Sequence, residues 1–284
     1  MSSMEHYSYN RRKWVNRVML GLCAGSAGIS IMVLLFILGY ILFHGISFLN
    51  LSLITNTAKP MGETGGGMRD EIIGTLILVA LATAIGLPTG LMAGIFLSEF
   101  GGTKMASAIR FIADVLTGLP SIVVGVFAYA ILVRPLHSFS ALAGGVALSI
   151  IMIPIIARTS EESLRLVPNS LREAALALGI SRWRTVLSVV IPGARTGIIT
   201  GGLLATARIA GETAPLLFTS LGNYFGFQGV LKPISALPLS IYHKATSPYS
   251  VDKEQAWAAS LLLILMVLII SIFVRWLASR GRAR

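Results

Sequence analysis

Residues 18–43 contain no charged side chain in 26 positions, and that run limits the possible fold more than any other feature of the chain. A helix needs about 20 apolar residues to cross ~30 Å of hydrocarbon, so this run can cross with some tilt. It is too long for the core of a signal peptide, and no small-residue cleavage site follows it, so a retained first span is expected. Further apolar runs predict spans at about 72–97, 113–133, 139–157, 196–221 and 256–274. The expected fold class is an all-α integral membrane protein with six transmembrane helices. These form one transmembrane domain over 18–277, between an N-terminal arm, 1–17, and a basic tail, 278–284. Composition points the same way. With 55% hydrophobic and 12% charged residues, against about 25% charged in soluble domains, the chain lacks the polar surface of a water-soluble globule.

Local signals refine the spans. Residues 44–71 are polar and hold Gly62, Gly65, Gly66 and Gly67, which suggests a flexible outer loop; no GxxxxGK[ST] phosphate cradle occurs there. Gly86, Pro88 and Gly90 predict a kink or unwinding in the second half of the second span. Asp114 stands just inside the third span, which Pro120 and Gly125 interrupt, and Pro154 lies near the end of the fourth. A 34-residue outer loop holds Pro233, Pro238 and Pro248, and Trp257 follows it at the membrane boundary. Cys23, the lone cysteine, lies within the first apolar run, so neither an intramolecular disulfide nor a thiol metal site is available.

The net charge of +11 does not indicate nucleic acid, because the basic residues sit at the ends of apolar runs rather than in a patch interleaved with aromatics. It indicates orientation. With six spans, sixteen lysines and arginines fall on the side of both termini and six on the other, the remaining one being Arg208. By the positive-inside rule both termini and the segment after the fourth span are cytoplasmic.

That segment, residues 170–192, is polar yet full of ordering signals. Ser170 and Glu173 have the spacing of a capping box, predicting a helix over 171–178. Gly179 supplies a stop, and Ser181 can cap a second helix running to about residue 191 before Pro192. Arg172, Arg182 and Arg184 accompany one carboxylate, Glu173. An amphipathic linker lying on the bilayer is the other reading. Glu173, Ala174, Ala175, Gly179, Val189, Ile191 and Pro192 resemble the EAA loop of ABC importer permeases in every spacing. Valine and isoleucine stand where isoleucine and leucine are usual. The resemblance implies the type I permease fold, in which this short helix is a cytoplasmic coupling helix docked on an ATP-binding subunit, with Glu173, Ala174, Ala175 and Gly179 at the contact.

Arg208 and Glu212 form the second sharp feature. Each costs from about 2.5 kcal/mol upward at the bilayer centre, so they must face protein or water. Four residues apart, they share a helix face with Gly201, Pro215 and Thr219 at helical spacing. A span starting near Thr196 would put Arg208 roughly 18 Å deep. Such a pair either glues two helices or lines an anion pathway, where an arginine offers permanent charge and planar donors. The run ARIAGETAPLLFTSLG, with IPIIARTSEESLRLVPNSLREAALALG, LPTGLMAGIFLSEFGG and LPSIVVGVFAY before it, resembles the phosphate-specific ABC importer permeases of the PstA type. That likeness implies a multi-pass protein of the bacterial plasma (inner) membrane. It would work with a second permease of the PstC type, two ATP-binding subunits of the PstB type and an external phosphate-binding protein of the PstS type. It also implies that Arg208 and Glu212 are pathway residues, with Arg158 either a third or an anchor for the cytoplasmic end of the fourth span.

No Walker A sequence is present, so ATP and Mg would be bound by the partner subunit and no cofactor by this chain. His6, His44, His137 and His243 are dispersed, no nucleophile adjoins a base, and no metal-ligand spacing occurs, which leaves enzymatic readings without support. A permease for sulfate, molybdate or an amino acid, a secondary transporter or channel without an ATPase partner, and a non-transporting membrane scaffold remain as rival classes.

Overall fold

The computed structural model describes residues 2–223 and 225–280, and side chains of residues 9, 11–223 and 225–276. The fold is all-helical among these residues. In chain order the helices are α1 (Ser2–Ile46), α2 (Leu51–Thr55), α3 (Arg69–Glu99), α4 (Lys104–Gly118), α5 (Ser121–Leu136), α6 (Ala141–Arg165), α7 (Asn169–Ala177), α8 (Arg182–Ala210), α9 (Ala214–Thr219), α10 (Leu237–Ala245) and α11 (Ser250–Arg280). Five of them, α1, α3, α6, α8 and α11, are long and apolar enough to cross a membrane singly. Arg282 and Arg284 of the expected basic tail lie outside the described residues, as does the side chain of Arg280.

Two expected spans differ from what forms. Residues 113–133 are not a straight helix: α4 and α5 meet at 105°. Pro120 has no N–H to donate and drives Leu119 into an extended conformation, so the chain turns there. The fifth span differs at both ends, because the helix starts at Arg182, runs through Pro192 and stops at Ala210 instead of residue 221. A π-turn, Val186–Val190, makes the passage of Pro192 possible: the Ile191 N–H reaches the Val186 carbonyl, widening the helix where the proline ring would collide. The same device, Tyr129–Val133, precedes Pro135 in α5. By contrast α3 runs unbroken through Pro88, without the unwinding expected there.

The centre of the bundle is α6, gripped by α3 on one side and α8 on the other. Lipid tails are as apolar as leucine, so helices associate here through close packing rather than through burial from water. Glycines permit it. Gly86, Gly90 and Gly94 of α3 lie against Met152, Ile156 and Ser160 of α6, and Gly197 and Gly201 of α8 against Ser163 and Thr159. Leu78, Leu148, Met152, Ile156, Ala205 and Ile209 fill the core between the three helices. The descending partners of Gly197 and Gly201 show that α8 runs antiparallel to α6.

One end of the bundle is closed by a cap formed from residues 47–68, 220–223 and 225–249. The loop before α3 is an ordered part of it rather than a flexible linker: α2 is N-capped by Asn50, and Gly62 (φ +85°) donates its N–H to Asp252, 190 residues away. Asp252 is fully buried and also accepts from Ser247 Oγ at 2.6 Å. The later outer loop contains α10, whose Leu237 N–H bonds Thr75 Oγ1 of α3 at 2.8 Å. At this end Gly45 of α1 packs on Trp257 and Leu261 of α11, so α1 ends and α11 begins at the cap.

A Cβ at Gly90 would lie 2.8 Å from the Ile156 Cβ and 3.0 Å from the Ile153 carbonyl oxygen. Gly90→Ala should therefore cost about 1–3 kcal/mol through overpacking. Gly102→Ala, with open space around the new methyl, should leave thermal unfolding of the detergent-solubilised protein unchanged. Equal melting temperatures for the two variants would refute the glycine seam.

Candidate functional site

Arg208 sits in the last turn of α8 and Glu212 just beyond it, in an interruption where Gly211 ends one helix and Thr213 begins the next. The single helical face expected to run from Gly201 to Thr219 is therefore broken at 211–213. The two side chains nevertheless meet, with Arg208 Nε 3.8 Å from Glu212 Oε1. Their depth follows from the packing of α6. Arg208 lies seven residues beyond Gly201, and Met152 seven before Thr159, so the same ~10 Å rise brings both to one level. Met152 touches Gly86, near the centre of the uncharged run 72–97. Arg208 thus stands at mid-depth.

At that depth its exposure is informative. The Arg208 side chain is 52% exposed and Glu212 18%. A guanidinium left half bare at mid-depth cannot face hydrocarbon without a cost of several kcal/mol, so this part of the surface faces water or protein. A partner 3.8 Å away on one nitrogen leaves most of its five donors available to an anion. Thr213, beside Glu212, reaches toward the Pro238 carbonyl of the cap at 3.5 Å.

Arg158 is placed differently. It lies about 9 Å from the level of Arg208 along α6, toward the end that bears α7. There it pairs with Asp114 of α4 and, at 3.5 Å, with Glu161. Buried Glu161 also accepts from Arg110 at 2.8 Å and forms an ion pair with Arg165 at 2.8 Å, while Arg110 reaches the carbonyls of Gly101 and Leu97. Five charged groups thus tie α3, α4 and α6 together. No described contact joins Arg158 to Arg208.

The polar segment after α6 forms a hairpin, α7 and the start of α8. Its helix begins at Asn169 behind Pro168, one residue before Ser170, so the expected capping box does not form: no side chain caps that terminus. The stop at Gly179 does form. With φ +77°, Gly179 donates to Leu176 O at 2.9 Å and Ile180 to Ala175 O at 3.2 Å, the paired bonds of a Schellman motif. Ala175 is buried, while Glu173, Ala174 and Gly179 are exposed, together with Leu171, Leu176 and Leu178.

Residues 86–283 match the family model described as binding-protein-dependent transport system inner membrane component. The chain is 44% identical over 265 residues to the phosphate transport system permease protein PstA of Yersinia pestis, covering 93% of this chain and 90% of that one. It is 41% identical to the PstA of Haemophilus influenzae, with 97% and 98% covered. This chain belongs to the PstA family of permeases. The fold of the PstA-family chain is also that of a subunit of a bacterial ABC transporter involved in alginate import, with a TM-score of 0.63 at 13% identity over 97% of this chain and 99% of that one.

Sequence reasoning missed two residues of this PstA-family permease that matter structurally. Glu161 falls beyond the expected end of the fourth span, but its spacing of three from Arg158 and four from Arg165 is visible once the helix is extended to Arg165. Glu99, which receives Arg172 and Arg182, carries no local signal at all, since its partners lie 73 and 83 residues away. Glu161→Gln should destabilise the chain by about 3 kcal/mol, near the low end for breaking a buried pair because its arginines stay partly wetted. The check is the fraction of folded protein surviving graded heating in detergent; survival equal to wild type would contradict the tie.

Proposed function

We propose that this chain is a membrane-spanning permease subunit of an ATP-driven importer of inorganic phosphate. It would form the anion pathway with a second permease of the PstC type. Energy would come from two ATP-binding subunits of the PstB type, which hold the ATP and Mg, and phosphate from an external binding protein of the PstS type. The observation that carries the reading is Arg208: a permanent cation, half exposed at mid-depth, with donors to spare and a carboxylate close enough to orient it. The choice of phosphate follows the relatives, which are phosphate transport permeases along nearly their whole length.

Orientation follows from charge. The excess of lysine and arginine lies at the α7 end, so that end is assigned to the cytoplasm and the cap to the outside, with both termini cytoplasmic. On the cytoplasmic side α7 offers exposed leucines at 171, 176 and 178 beside Glu173 and Ala174. Apolar side chains on a segment outside the hydrocarbon suit a protein partner, and this is where the ATP-binding subunit would dock. A secondary transporter would have no use for such a surface. Closure of the ATP-binding subunits would move the hairpin and, through it, the helices around Arg208. The breaks at 119–120 and 211–213 are natural points of flexure, and unbroken Pro88 is less so.

Arg208→Gln keeps the side chain polar but shortens it and removes its charge, and should abolish phosphate uptake while the complex still assembles. Uptake of labelled phosphate by membrane vesicles at the wild-type rate would sink the pathway assignment. Gly179→Val puts a β-branched residue at φ +77°, a cost of about 1–2 kcal/mol. The strain should splay the hairpin, so that ATP hydrolysis no longer drives uptake or the ATP-binding subunit no longer copurifies. Wild-type behaviour in both measurements would count against docking at this turn.

A further inference from the structure

Both arms of the hairpin are fastened to a single buried carboxylate that the reading above does not use. Glu99 ends α3 with its side chain only 9% exposed. Arg172, from α7, pairs with one of its oxygens and donates to the Leu164 carbonyl at 2.9 Å. Arg182, from the first turn of α8, lies 3.8 Å from the other oxygen and donates to the Glu99 backbone carbonyl at 3.0 Å. Its guanidinium also covers the Phe100 ring at 5.3 Å. One arginine therefore stands on each side of the Gly179 turn, and both converge on the end of the same membrane helix.

The geometry points to Glu99 as a coupling pin: a positioning residue that converts displacement of the hairpin into displacement of α3. This rests on the reading that the hairpin receives the motion of an ATP-binding partner. The helix it pulls is the relevant one, because α3 carries the glycine seam whose Gly86 meets Met152 at the depth of Arg208. A carboxylate meets the two guanidinium groups with one charged oxygen each. An uncharged amide of the same size offers one acceptor oxygen and adds two donors facing two cations. Glu99→Gln should therefore leave α7 folded, its own Schellman turn being intact, but free to tilt without drawing α3 along.

The test uses the complete complex, reconstituted in liposomes, and reads phosphate imported per ATP hydrolysed. In Glu99→Gln the ATP-binding subunits should still copurify and hydrolyse ATP, while the ratio falls severalfold. Glu99→Asp, which keeps the anion facing both arginines, should retain more of the ratio than Glu99→Gln. A purely structural tie would lower yield and melting temperature but leave the ratio untouched. A wild-type ratio in Glu99→Gln overturns the inference, as does a Glu99→Asp ratio no better than that of Glu99→Gln. Loss of the ATP-binding subunits from the Glu99→Gln complex also overturns it, since Glu99 would then belong to the docking surface. Should that variant fail to accumulate, Arg182→Gln, at an exposed position, reads the same ratio, and an unchanged value there has the same force. Failure of the underlying docking reading is distinct: the wild-type complex would purify without an ATP-binding subunit.

Discussion

Close approach of backbones is the interaction on which this fold depends. Surrounded by hydrocarbon, two helices gain little by covering apolar side chains, and what remains is dispersion between atoms brought near enough to touch. The seam at Gly86, Gly90 and Gly94 brings α3 onto α6, and Gly197 and Gly201 bring α8 onto the same helix from another side. This is a positional constraint as much as a source of stability. With α6 held between two glycine seams its register against both neighbours is set, and so is the depth at which α8 delivers Arg208.

Charge is handled in two ways, and the contrast separates structure from site. Glu99, Glu161 and Asp252 are buried near the ends of the bundle, and each gathers donors from more than one element. Exposed pairs contribute at most about 1 kcal/mol, whereas breaking a buried pair costs several, so these three carboxylates hold more than the many surface arginines around them. Arg208 does not follow that pattern. Its partner is at 3.8 Å and half the side chain is bare, although it lies where an unshielded charge is most expensive. An arginine serving only to glue helices of this chain together would be covered by them.

Much of this was legible in the sequence, for reasons that differ from element to element. Span order follows from apolar length, because the bilayer fixes how long an apolar run must be; five of the six expected runs give helices able to cross singly, and the third gives the bent pair α4 and α5. The hairpin stop was legible because φ +77° at position 179 suits glycine and few other residues. Helix ends were not. Hydropathy marks where lipid begins rather than where backbone hydrogen bonding stops, so α8 extends back through Arg182 and Arg184 and α6 forward to Arg165. Proline was ambiguous in the same way: at 88 it is absorbed, at 192 a π-turn accommodates it, and at 120 the chain turns through 105°. Glycines and prolines in the two outer loops signalled turns but not their partners, since Gly62 meets Asp252 only in the folded cap. Pro168 displaced the helix start that Ser170 and Glu173 suggested.

The two interruptions of the membrane-crossing backbone bear on the site independently of any charge. Gly125, in the first turns of α5 beyond the break at 119–120, lies against Pro215 of α9 just beyond the break at 211–213. The breaks are therefore neighbours in space, though some 90 residues apart in the chain. Each leaves peptide groups without helical partners, and irregular backbone within a membrane is tolerated only where protein buries it or water reaches it. Where the breaks meet, Gly125 and Pro215 are buried within the chain, while Arg208 is half bare. The broken backbone is thus covered by protein where its two parts meet, and the guanidinium of Arg208, seven residues before Pro215, is the uncovered group. Either water or a second membrane subunit must meet that guanidinium, since hydrocarbon cannot do so without a cost of several kcal/mol.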